Sequence, residues 1–92
     1  MIEENAALKR VIQKVQPDYP DEAMAQNVQG PVTVDVVVSK DGHVESATPV
    51  NGDARLQAAA AKAVRQWQFA PLIRDGHFVL FESHITVTFT MP

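Results

Sequence analysis

LQAAAAKAVRQWQFAP, residues 56–71, decides the fold of this chain. Its apolar positions, Leu56, Ala59, Ala60, Ala63, Val64 and Trp67, recur at steps of three and one, which places them on one stripe of a helix. Lys62, Arg65 and Gln66 fall on the opposite side. Alanines on the stripe let such a helix approach a sheet closely, and Leu56, Val64 and Trp67 fill the gap. Burying each of those three contributes roughly 1.5–3 kcal/mol. The helix is therefore expected at the centre of a small core, and the rest of the chain should supply a sheet for it.

The flanks agree with this. Asn51-Gly52-Asp53 reads as a loop in which Asp53 can cap the helix, and Phe69-Ala70-Pro71 forces an extended exit. Upstream, residues 32–39 alternate Val32, Val34, Val36 and Val38 against Thr33, Asp35, Val37 and Ser39, a strand pattern with Pro31 at its tolerated first position. Lys40-Asp41-Gly42-His43 is a turn, because Asp-Gly readily takes the positive φ of tight hairpins. Residues 44–50 return as a weaker strand carrying Pro49. Arg74-Asp75-Gly76-His77 forms a second turn. The closing stretch, Phe78 to Thr90, sets Val79, Phe81, Ser83, Ile85, Val87 and Phe89 against Leu80, Glu82, His84, Thr86, Thr88 and Thr90.

At the front, residues 1–10 read as a linker, a short helix or an expression-derived segment, and residues 11–92 as one domain. Arg10 to Val15 is a candidate edge strand. Pro17 and Pro20 make Gln16 to Pro20 stiff and non-helical. A short helix from Pro20 to about Asn27 should turn Ala23, Met24 and Asn27 to one side, with Gly30-Pro31 stopping it. The fold class is α+β: two helices on one face of a three-stranded antiparallel sheet, in the order (β)αββαβ. Val34, Val36, Leu56, Val64, Trp67, Phe69 and Phe81 are the expected core.

Composition narrows the function. With 92 residues, 46% hydrophobic and 21% charged, the chain is one ordinary domain with a thin core. A net charge of −3 and scattered Lys and Arg argue against nucleic acid as a partner, since phosphate binding needs clustered cations. No cysteine is present, which removes disulfides, thiolate zinc sites and a cysteine nucleophile. No run approaches the ~18 apolar residues of a membrane span.

Catalytic and metal chemistry find no constellation. His43 and His77 sit beside turns, and His84 shares a strand face only with Glu82, too few ligands for a metal site. Ser39, Ser46 and Ser83 lie in strands outside any nucleophile elbow. No cofactor, metal or enzymatic role is expected. Two features exceed what a core needs: the rigid Gln16-Pro17-Asp18-Tyr19-Pro20 segment, and a long last strand whose free edge invites an extended peptide.

The pieces Tyr19-Pro20-x-x-Ala23, Gly30-x-Val32-x-Val34-x-Val36, Asp41-Gly42-x-Val44, Leu56 to Trp67-x-Phe69-x-Pro71 and Val87-x-Phe89 together resemble the TonB C-terminal domain family, over roughly Val11 to Met91. The resemblance implies a periplasmic domain of an energy transducer tethered to the inner membrane. The family's membrane anchor, which meets an ExbB/ExbD-type complex, and its proline-rich spacer lie outside these residues. The implied partners are outer-membrane transporters for iron complexes, cobalamin or similar cargo, whose TonB box adds as a strand along Ser83, His84, Ile85, Thr86, Val87, Thr88, Phe89 and Thr90. Gln16, Pro17 and Tyr19 match the family's contact with the transporter plug. The same domain also occurs in other envelope proteins, which implies a second reading: a structural or regulatory module that self-associates through that edge as a homodimer.

Overall fold

In the computed structural model, which describes residues 1–91, the valine-rich stretch is the middle strand of the main sheet. Ten elements follow one another: α1 (Glu4–Leu8), β1 (Val11–Gln13), α2 (Asp21–Ala25), β2 (Gly30–Val38), β3 (Val44–Asn51), α3 (Ala54–Arg65), β4 (Gln68–Phe69), β5 (Leu72–Arg74), β6 (His77–Val79) and β7 (Phe81–Phe89). The main sheet is antiparallel with strand order β3-β2-β7, and β1-β4 and β5-β6 form two small ribbons. The architecture is the expected α+β one, with α1 and the ribbons as additions.

β2 pairs with β7 without a break, from Gly30 opposite Phe89 to Val38 opposite Phe81. Val32, Val34, Val36 and Val38 are buried, and they face the same layer as Phe81, Ile85, Val87 and Phe89. Thr33 and Asp35 turn the other way with Glu82, His84 and Thr86. The β2–β3 pairing begins at Thr33, so the N–H that Pro31 lacks costs no bond to β3. Pro49 lies in β3, an edge strand, where proline is tolerated.

α3 covers the apolar face. Asp53 caps it, accepting the Arg55 N–H at 2.9 Å. Leu56, Ala60, Ala61, Ala63 and Val64 are buried and Ala59 is partly so, close to the expected stripe. Trp67 departs from that expectation. The helix ends at Arg65, and the N–H groups of Gln66 and Trp67 bond back to the carbonyls of Ala63 and Val64. The chain then enters β4, where Phe69 pairs with Val11 and Gln68 with Gln13. Trp67 is buried all the same, its indole N–H donating to the Val15 carbonyl at 3.0 Å.

Two local expectations are corrected. α2 buries Ala23 but leaves Met24 and Asn27 exposed, because a helix of five residues is too short to form a stripe. Its stop is Asn27, which takes φ 56°, while Val28 N–H bonds back to the Ala23 carbonyl. Gly30 and Pro31 instead open β2. The closing stretch is also not one strand. Its first part pairs with β5 around a two-residue turn, Asp75 (φ 52°) and Gly76 (φ 80°), and the pairing partner changes at Leu80.

Residues 1–10 contain α1, which lies beside β7 with Ala7 fully buried. The molecule is elongated, 50 × 20 × 19 Å.

Candidate functional site

β7 is a terminal strand of the sheet, paired with β2 on one side. Successive residues of a strand send their backbone groups to opposite sides. Thr86 sends its N–H away from β2, because that N–H donates to the Glu4 carboxylate at 2.7 Å. The Glu82 carbonyl faces the same way, accepting the Ile2 N–H at 2.8 Å. The open edge is thus written by the even positions, Glu82, His84, Thr86 and Thr88, whose side chains also stand on the polar face. Ser83, Ile85, Val87 and Phe89 direct their side chains into the core instead. The expected binding stretch therefore divides: His84, Thr86 and Thr88 meet the edge, and the odd residues hold the strand in place. Thr90 is exposed just past the strand end.

The second expected segment comes close to this edge. Gln16 and Pro17, with Lys14, Val15 and Trp67, share a crevice of about 130 Å³ with Thr86, Val87 and Thr88. Two prolines keep the segment extended, and the bond from Trp67 to Val15 ties it to the end of α3. The Lys14 ammonium lies 5.3 Å from the centre of the Trp67 ring, which places a positive charge at the mouth of the crevice. On its other side, Gln16 borders a broader groove of about 480 Å³ between Asp18, Pro20 and the Ala59–Lys62 side of α3.

Tyr19 is placed differently. Its ring meets Phe89 edge-on, with centroids 5.5 Å apart, and its hydroxyl donates to the Val28 carbonyl. It fastens the start of α2 to the end of β7 and does not line the crevice.

Three residues at the edge lie outside the sequence expectation: Ile2, Glu4 and Ala7. The Glu4 carboxylate accepts both the N–H and the hydroxyl of Thr86, the latter at 3.0 Å, and lies 3.8 Å from His84 Nε2. The Ser83 hydroxyl donates to the Ile2 carbonyl at 2.7 Å. A helix of five residues gives almost no periodic signal, so only its acidic start and its two alanines hinted at it.

Nothing at the edge assembles nucleophile, base and acid. Among the described residues no group of three His, Asp or Glu could hold a metal ion. The chemistry on offer is that of backbone donors and acceptors beside a crevice, which suits an extended peptide.

Comparison with known proteins adds to this geometry. Residues 15–91 match the family model described as Gram-negative bacterial TonB protein C-terminal. The chain is 30% identical over 80 residues to Protein TonB of Vibrio cholerae serotype O1 (strain ATCC 39315 / El Tor Inaba N16961), covering 85% of this chain and 33% of that protein. It thus spans about a third of the length of that relative. Among solved structures, the solution NMR structure of Pseudomonas aeruginosa TonB CTD superposes with a TM-score of 0.70, covering 89% of this chain and 85% of the other. At 21% identity, that likeness is one of fold.

Proposed function

Because this chain belongs to the Gram-negative bacterial TonB protein C-terminal family, we propose that it is the periplasmic gripping domain of a TonB-type energy transducer. Its β7 edge receives the TonB box of outer-membrane transporters as an added strand. The observation that carries this reading is the direction of the Thr86 N–H and the Glu82 carbonyl, away from β2 and beside the Gln16–Pro17 crevice. Main-chain hydrogen bonds supply a grip that tolerates different box sequences, with side chains adding specificity at alternate positions. One domain can then serve several transporters. The role is binding and not catalysis. Upstream residues of the full protein would tether it to the inner membrane and couple it to an ExbB/ExbD-type complex, so that proton motive force drives uptake of iron complexes, cobalamin or similar cargo.

Titration of a synthetic TonB-box peptide, followed by amide NMR, tests the assignment. The signals of His84, Thr86, Thr88 and Gln16 should move together. A peptide that binds without moving them, or that fails to bind, removes the reading. Sedimentation across a concentration range separates it from self-association, which would leave the same edge occupied by a second copy.

A further inference from the structure

The edge offered to a partner is already partly occupied by the chain itself. We infer that residues 2–8 form a strap that closes the β7 edge and must lift off before a strand can add, which makes the strap an autoinhibitory device; this rests on the strand-addition reading. Its bonds satisfy the edge groups an incoming strand would need. Ile2 N–H donates to the Glu82 carbonyl, and the Glu4 carboxylate accepts the Thr86 N–H, imitating the two ends of a strand with a short span of chain. Thr86 Oγ1 and Ser83 Oγ add hydroxyl bonds to Glu4 and to the Ile2 carbonyl. Ala7, fully buried, seats the helix against the core beside β7.

The strap is also built to come off. α1 has five residues, no side-chain bond at its N-cap and no basic residue in its last turn. Such a helix is unstable alone and persists only through its tertiary contacts. The Glu4 side chain is 24% exposed, so water can compete for its bonds. The strap lies before residue 15, where the family match begins. Occlusion weakens binding in proportion to the open fraction: a strap closed in about nine molecules of ten lowers the apparent affinity about tenfold.

The test compares the intact chain with Glu4→Ala, which removes both bonds to Thr86, and with Glu3→Ala at the exposed neighbouring position. Hydrogen exchange at the Thr86 amide reports the strap, and titration with a TonB-box peptide reports access. Glu4→Ala should speed exchange at Thr86 and tighten peptide binding about tenfold, with Glu3→Ala behaving as the intact chain. Equal exchange and equal affinity in all three proteins, or weaker binding by Glu4→Ala, overturns the strap and leaves strand addition standing. Faster exchange in Glu4→Ala, with no peptide binding to any of the three, upholds the strap and removes the strand-addition reading. Ile2→Pro, which deletes the donor to Glu82, should act in the same direction as Glu4→Ala.

Discussion

Single residues carry unequal shares of this fold, and the two Asp-Gly turns show it. Gly76 sits in an open hairpin turn with nothing near its missing Cβ, so Gly76→Ala is strained only by its φ of +80° and should cost about 1–2 kcal/mol. Gly42 has a similar φ, +93°, but a Cβ there would lie 1.9 Å from the Phe69 carbonyl oxygen, across the contact in which Phe69 N–H bonds to the Gly42 carbonyl. Gly42→Ala should therefore cost about 3 kcal/mol or more, because strain and a backbone clash add. Urea unfolding of both variants checks the ordering. Asp53 makes a pH prediction. Hydrogen bonds from the Arg55 side chain and N–H hold its carboxyl down at about 2, from an ordinary 3.8. A depressed carboxylate stabilises the fold fully above its unfolded value and loses that contribution as pH falls through the folded one. The stability gap between the native chain and Asp53→Ala should thus be constant above about pH 4 and shrink toward pH 2. A gap that stays constant to pH 2 would mean the cap is not acting as a carboxylate.

At the scale of elements, α3 and β7 divide the work. α3 uses alanines to sit close to the sheet, so Ala60→Leu, at a fully buried position, should overpack it and cost about 1–3 kcal/mol in thermal unfolding. β7 is held by its odd side chains and leaves its even backbone groups for contact. Proline substitution reads this polarity directly. Thr86→Pro deletes a donor that points away from β2, so the fold should survive while peptide binding falls. Val87→Pro deletes a donor directed at β2 and should instead lower the unfolding temperature. Equal stability loss in the two variants would show that the edge has been assigned to the wrong residues. The β5–β6 ribbon does neither job: Ile73 and Phe78 stand exposed on it, as does Leu80 just beyond its end.

On the scale of the whole molecule, the sheet has two edges and treats them differently. β3 carries Pro49 and register shifts along its pairing with β2, both of which discourage further pairing. β7 pairs with β2 in unbroken register and is covered by a short, separable strap. Protection on the β3 side is built into the strand, whereas on the β7 side it can be removed. The region that reads as a linker thus lies against the edge that reads as a binding surface.

Much of this is legible in the amino-acid sequence alone. The alternation of Val32 to Val38, the stripe from Leu56 to Val64 and the two Asp-Gly turns are local patterns, because a side chain's face follows from its place in a strand or helix. They determined the α+β class, the polar and apolar faces and most of the core. Other features depended on partners far away in sequence. Trp67 continues the helical stripe by spacing, yet the β1–β4 ribbon draws the chain out of the helix after Arg65. Phe78 and Phe81 fall in one apparent strand, but pairing with β5 and with β2 separates them at Leu80. Glu4 gives no signal of its own, since a carboxylate near the start of a chain reads as solvated surface. Only folding brings it to Thr86, 82 positions away. The length of the closing stretch thus pointed to a free edge, while the tertiary structure alone decided the strand order and that this edge is covered, because hydrogen bonding across such a separation has no period to read.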